Sequence, residues 1–192
     1  MNKLILIGGG GHCKSCIDVI ESENKFKIMG ILDTKEKIGQ KVLGYEIIGT
    51  DDDIEKYQKE DFYFLITLGQ IKSADIRFKL FNKIEIMGGK IATVISPLAY
   101  VSKYATIDVG TIVLHHALIN SNANVGKNCI INSKALIEHD SVIENHCHIS
   151  TGAIVNGEVV VGEKTFVGSN STIIQGTNIL PNSFVKAGSL TK

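Results

Sequence analysis

One triplet in the 192 residues has the composition for acid–base chemistry: Glu138-His139-Asp140. An imidazole exchanges its proton near neutral pH, and a carboxylate beside it can fix its tautomer and favour its charged form. Three hexads later stands Gly157. The triplet lies in a repeat, described below, that stacks residues 139 and 157 on one edge. A glycine there leaves room against the backbone and exposes an N–H. The other histidines of this half, His115, His116, His146 and His148, read singly as solvated side chains.

A second constellation lies near the amino terminus. Lys3 to Ile7 is a continuous apolar run apart from its first residue, as expected of a buried parallel strand. Gly8-Gly9-Gly10-Gly11-His12 follows, then a helical pattern from about Cys13 to Glu21. Strand, glycine turn and helix together point backbone N–H groups and a helix N-terminus at a phosphate. The glycines do not form a regular G-x-G-x-x-G. A second strand, Phe26 to Leu32, ends at Asp33, where doubly wound folds place an acid against ribose or base.

The elements that position these groups fall into two domains, 1–92 and 93–192. In the first, strands are expected at Tyr45 to Ile48 and Phe62 to Thr67, and a helix near Asp52 to Tyr57. Gly69 is expected to open a Lys- and Arg-rich helix over Lys72 to Met87, and Lys90 to Ile95 to form a last strand. This is a small α/β unit of Rossmann type. In the second domain an Ile or Val recurs at every sixth residue from Ile95 to Val185, with Pro97 at the start of the solenoid. Two residues before each sits a small one, broken only by Val159, read as the residue that lets the chain turn a corner. A period of six belongs to a parallel β-helix. Each hexad is one side of a triangular coil, and branched residues stack inside it. Cys129 and Cys147 fall in the small-residue column as buried thiols, not a disulfide framework. Cys13 and Cys16 form a C-x-x-C without a second pair. No Pro- or Ser-rich linker separates the domains, so they are expected to dock rigidly.

Lys and Arg balance Asp and Glu at 20 each, which gives no electrostatic case for nucleic acid or an anionic membrane. Neither a signal-type leader nor a run of transmembrane length is expected, and the chain reads as cytoplasmic.

Residues 3–22, the hexads and the segment IEHDSVIENHCHISTGAIVNGEVVVGEKTFVGSNSTII resemble the sialic acid O-acetyltransferase family of hexapeptide-repeat acyltransferases. Within it they are similar to the N-acetyltransferases of UDP-4-amino sugars, of bacillosamine type. The resemblance covers nearly the whole chain and implies a left-handed β-helix. It implies acetyl transfer from acetyl-CoA to the amino group of a nucleotide-linked sugar. By the same resemblance His139 is the base and Asp140 supports it, while Asn132 positions the histidine. His148, in an H-x-S-x-G segment, lines the acetyl-CoA cleft. Gly157 offers its N–H to the thioester oxygen, and the backbone at Ser169 and Ala187 grips the coenzyme. Gly8, Gly10, Gly11 and His12 take the nucleotide-sugar phosphates, with Asp33 near the base and Gly69 grouped with them. Such relatives commonly continue with a coil ending in G-x-P-A-K, which this sequence lacks before Lys192.

Three other readings use the same residues: O-acetylation of a sialic acid or related nonulosonate, a zinc lyase of γ-carbonic anhydrase type, and a non-catalytic partner in a sugar-biosynthesis complex. The zinc reading needs three histidines meeting across an interface, and the spacing of His139, His146 and His148 does not match, so no metal is expected. A homotrimer is expected, because Leu118, Leu136 and Ile154 stack as an apolar column. His139 and His148, one and a half triangle sides apart, would then meet from different chains.

Overall fold

A computed structural model describes residues 1–192. The first domain is a six-stranded sheet built from β1 (Asn2–Ile7), β2 (Phe26–Leu32), β3 (Lys41–Val42), β4 (Tyr45–Gly49), β5 (Tyr63–Ile66) and β6 (Lys90–Ile91), in the order β3-β4-β2-β1-β5-β6. All pairings are parallel except the β3–β4 hairpin. Leu4 to Ile7 of β1 are fully buried, as a strand covered on both faces requires. Strand order reverses at β1, so a crevice opens at the carboxyl ends of β1 and β5. Gly8 turns the chain there with φ +103°, and a Cβ would lie 2.5 Å from the Leu68 side chain. Only glycine fits both constraints.

Three helices cover this sheet: α1 (Gly11–Glu23), α2 (Ile54–Lys59) and α3 (Asp75–Ile86). Gly69 does not open α3; residues 68 to 74 form an irregular segment first. The expected strand Lys90 to Ile95 is two elements. Lys90–Ile91 closes the Rossmann-type sheet, whereas Val94–Ile95 pairs with Ile112–Val113 and is the first rung of the solenoid, ahead of Pro97.

From there two-residue strands recur every six residues, each paired in parallel with the strand three hexads on. They build three flat sheets. The first face contains Ile112–Val113, Ile130–Ile131 and His148–Ile149. The second contains Leu118–Ile119, Leu136–Ile137 and Ile154–Val155. The third contains Asn124–Val125 and Val142–Ile143. The solenoid is the left-handed β-helix expected. Its second residues, such as Ile131, Ile137 and Ile143, fill one continuous core. The small residues do not turn the corners. They are buried beside that core, and the turn is made one residue earlier, at a left-handed backbone position that recurs from Gly110 to Gly188. Asparagine and glycine are common there, and Asp140 (φ 62°) occupies one such corner.

The two domains share a core. Cys13, Cys16 and Ile17 of α1 pack with Val94, Ile112 and Ile130 of the first face. Polar pins flank the seam: His115 bridges Ser96 (2.6 Å) and Asp18 (2.9 Å), and Lys127 meets Glu85 (2.9 Å). All four cysteines are buried and free.

Candidate active site

Glu138, His139 and Asp140 form the corner between the second and third faces, the vertex opposite the face that carries α1. His139 Nδ1 lies 2.8 Å from Asp140 Oδ2, and both side chains are about half exposed (50% and 47%). An ionised carboxylate only accepts, so the ring donates from Nδ1 and keeps Nε2 as a lone-pair base. This hydrogen bond holds the His139 pKa above the ordinary 6.5, with the charges of Asp140, Glu138 and Glu158 adding to it. Asp140 is held below the usual carboxylate range, first by a hydrogen bond from Asn122 and then by His139.

Gly157 is stacked against this ring. A Cβ there would lie 2.7 Å from His139 Cε1 and 2.9 Å from Nε2. The space that glycine leaves is therefore filled by the imidazole itself. At the equivalent corner positions one and two coils earlier, the amide is tied to the preceding side chain: His139 N to Glu138 Oε2 at 3.3 Å, and Ser121 N to Asn120 Oδ1 at 2.8 Å. Asn156 instead sends Nδ2 to the Ile173 carbonyl (2.7 Å), and the Gly157 amide has no partner. A free N–H thus stands beside a base with a fixed tautomer.

The glycine loop forms a second group. Gly9 N donates to Asp33 Oδ2 (2.7 Å), Thr34 N to Asp33 Oδ1 (2.7 Å), and Lys37 Nζ lies 3.0 Å away. Burial opposes the Asp33 charge, but these donors outweigh it and the carboxyl sits below its ordinary range. Asp33 thus braces the loop, and its oxygens are already engaged. A Cβ added at Gly10 or Gly11 would meet nothing within 4 Å, so their surroundings are open. The amides of Gly10, Gly11 and His12 have no internal acceptor, as expected at the start of a helix. Beside them a cavity of about 580 Å³ opens over the carboxyl ends of the sheet, lined by Gly8, Asp33, Thr34, Asp51, Asp52 and Leu68 among others.

A third group, at the domain seam, was only partly visible in the sequence. His148 is buried on the first face, with Nδ1 2.5 Å from the Gln70 carbonyl and Nε2 3.1 Å from Asn132 Nδ2. Asn132 therefore orients His148 and not His139, because residue 132 lies at the corner between the first and second faces and residue 139 at the next corner. With both nitrogens engaged, His148 can present a ligand only a ring edge. His12 stands 6.4 Å from it, centroid to centroid, and its Nε2 is buried without a partner. Next to them Arg77 is buried, donating to the Ile66 and Leu68 carbonyls and to Asn128 Oδ1 (2.8, 2.7 and 2.7 Å). Asn128 Nδ2 in turn meets His146 Nδ1 at 3.0 Å. Burial lowers Arg77 to about 10.

Burial also holds His12, His146 and His148 neutral, at about 3, 4 and 4, against 6.5 when exposed. On acidification the unfolded chain therefore takes up these protons first. Each ring contributes stability that is complete above pH 6.5 and is lost as pH falls towards its folded value. The urea midpoint should be flat from pH 8 to 7 and fall steeply between about pH 6 and 4. A midpoint unchanged down to pH 4.5 would contradict neutral burial of these rings.

The expected site residues thus form separate clusters. His139, Asp140 and Gly157 meet at one corner. Gly8 to Gly11 form the loop that Asp33 braces, and His12, Gly69, Asn132 and His148 gather around the seam; Gly69 lies 3.6 Å from the His12 Cβ, measured from a Cβ built on it. Ser169 and Ala187 stack at the corner between the first and second faces, one coil apart, and neither amide has an internal partner.

Residues 3–84 match the family model described as the PglD N-terminal domain. The whole chain superposes on perosamine N-acetyltransferase from Caulobacter crescentus, solved in complex with CoA and GDP-perosamine, with a TM-score of 0.93 and 26% identity over 89% of that protein. It likewise superposes on the acetyltransferase domain of PglB from Neisseria gonorrhoeae, with a TM-score of 0.92 and 27% identity over 92% of that domain. That domain has also been solved in complex with acetyl coenzyme A. An uncharacterized protein of Acanthamoeba polyphaga mimivirus is 37% identical over 116 residues, or 59% of this chain. The chain spans about a fifth (21%) of that protein's length.

Proposed function

We propose that the chain transfers an acetyl group from acetyl-CoA to the amino group of a nucleotide-linked sugar. The observation that carries this reading is the His139 corner: a base with a fixed tautomer beside the unpartnered Gly157 amide. The likeness to nucleotide-sugar N-acetyltransferases over the full chain supports it and favours an amine over a hydroxyl as acceptor. The amides of Gly10, Gly11 and His12 would take the phosphates, and the cavity beside them the nucleoside. The free amides at Ser169 and Ala187 suit a long ligand with several carbonyl and phosphate acceptors, as the coenzyme is.

Bound acetyl-CoA supplies an acyl group activated as a thioester. His139 Nε2 takes the proton that the attacking amine sheds as its bond to the acyl carbon forms and the carbon–sulfur bond breaks. Asp140 stabilises the resulting imidazolium. The Gly157 N–H faces the negative charge that develops on the acyl oxygen. A positioned base contributes about 10²–10⁴-fold and one such donor about 10²–10³-fold.

The site is completed between chains of a trimer. The glycine loop lies over the first face and His139 projects from the opposite vertex, so the two diverge within one chain. Leu118, Leu136 and Ile154 are half-buried on the second face beside His139, flanked by exposed Tyr100 and Leu190. Such a stripe needs a cover, and closed threefold packing supplies three equal ones.

Two outcomes are expected. Because only neutral His139 is a base and its pKa is raised, kcat/KM should climb with pH through a midpoint above 6.5. Asp140→Asn removes the main cause and should lower that midpoint; a parent midpoint at or below 6.5 would refute the pairing. Second, Gly10→Val places a branched side chain in the open space before the amides. Titration with GDP-perosamine, the ligand of the Caulobacter relative, or with a UDP-4-amino sugar should weaken about tenfold or more, while acetyl-CoA binding is unchanged. Equal loss of both would indicate misfolding. Release of coenzyme A with neither amino sugar nor any other nucleotide-linked amine would reject the reading itself.

A further inference from the structure

The Glu-His-Asp corner stands on a matching triplet one coil below: Asn120-Ser121-Asn122. Each asparagine reaches up to the carboxylate above it. Asn120 Nδ2 donates to Glu138 Oε2 and Asn122 Nδ2 to Asp140 Oδ1, both at 2.7 Å. The two oxygens of Asp140 are thereby divided. Oδ1 takes the amide from below and Oδ2 takes His139 Nδ1.

An aspartate at an exposed corner is otherwise free to rotate, and an imidazole whose carboxylate turns out of reach loses the bond that fixes Nδ1–H and samples both tautomers. The Asn122 donor removes that freedom. It also favours the ionised carboxyl, the form that accepts most strongly from Nδ1 and cannot donate to it. Asn122 touches neither His139 nor the Gly157 edge where reacting atoms would sit.

We propose that Asn122 is a positioning residue for acetyl transfer, acting through Asp140 to keep His139 Nε2 unprotonated and aimed along Gly157. The proposal rests on His139 being the base of the reading above, but its first consequence, the ring tautomer, is observable without turnover.

Asn122 has φ 59°, so Asn122→Gly removes the donor and suits the left-handed backbone. Nitrogen-15 spectra of the His139 ring, taken well above its pKa, should show a dominant Nδ1–H form in the parent. In Asn122→Gly the Nε2–H form should grow. With GDP-perosamine and acetyl-CoA as probes, kcat should fall about tenfold with KM nearly unchanged, the usual scale for losing an outer residue that orients a histidine. In an Asp140→Gly background, also at a left-handed corner, the same substitution should cost less than about twofold, because the intermediary is gone. Asn122→Asp keeps the shape but turns a donor into a repelling carboxylate, and should be at least as damaging as glycine.

An unchanged tautomer in Asn122→Gly overturns the proposal, as does an equal loss of kcat with and without Asp140. A tautomer that shifts while kcat stays constant would uphold the orienting contact but remove His139 from the chemistry, and with it the catalytic role of Asn122.

Discussion

His139→Ala is expected to lower kcat by at least about 10²-fold while leaving the urea midpoint and the acetyl-CoA affinity close to the parent values. The ring is half exposed at a corner, outside the solenoid core. Its removal opens no cavity and strands no buried donor. Asp140 keeps its Asn122 partner. What is lost is the one lone pair held beside Gly157, and a base acts only as the amine becomes charged, so the loss falls on kcat. Asp140→Asn should cost less, since the shape and one oxygen acceptor survive. Steady-state rates of coenzyme A release with GDP-perosamine and acetyl-CoA would measure both. A His139→Ala rate within a few-fold of the parent would remove the base from the mechanism and return the corner to the status of a solvated turn.

The solenoid was legible because one rule repeats: every sixth residue is Ile or Val, and the period admits neither a helix nor an ordinary strand. The pairing of His139 with Gly157 followed from that period alone, and the structure adds that the ring itself occupies the glycine's space. Boundaries were less legible. Lys90 to Ile95 reads as one strand because both halves are apolar, yet Ala92 and Thr93 carry the chain from one sheet to another. The role of the small residues was misplaced by one position. Sequence shows which residues are small, whereas the left-handed φ falls on their neighbours, several of which, such as Asp140, His146 and Lys164, carry full side chains.

Long-range polar partners were not legible at all. Arg77 lies in a helix with two lysines, Lys79 and Lys83, and such a residue ordinarily faces water. That it is buried against Asn128, with no carboxylate in reach, depends on how α3 meets the end of the second coil. The family resemblance placed Asn132 beside His139. On a triangular coil, seven residues is more than one side, and its contact is instead His148, nearly a full coil away. Asp33 shows the same limit: its spacing after the glycine loop predicted a ligand contact, but not the hydrogen bond that its carboxylate accepts from the loop's own amide. Sequence periodicity locates residues around the coil, but hydrogen-bond partners depend on the faces that the domains bury against one another.

Mixing two inactive variants should restore activity. His139→Ala removes the corner base, and Gly10→Val obstructs the amides at the start of α1. Neither touches the apolar second face, so both should form trimers and exchange subunits. If the base of one chain serves the glycine loop of its neighbour, a site works only where a Gly10→Val chain presents its His139 to a His139→Ala chain. In randomly assorted trimers at equal amounts this holds for about one quarter of the sites, so the mixture should reach about a quarter of the parent rate. What supports the proposed arrangement is that α1 lies against the first face of the solenoid while His139 stands at the opposite vertex. No side-chain motion within one chain can bring them together. Light scattering should give the mass of three chains, and labelled subunits should report exchange before rates are read. Proven exchange with no recovered activity would place both residues in one chain's site. Activity that reappears without exchange would mean that one of the variants was never inactive.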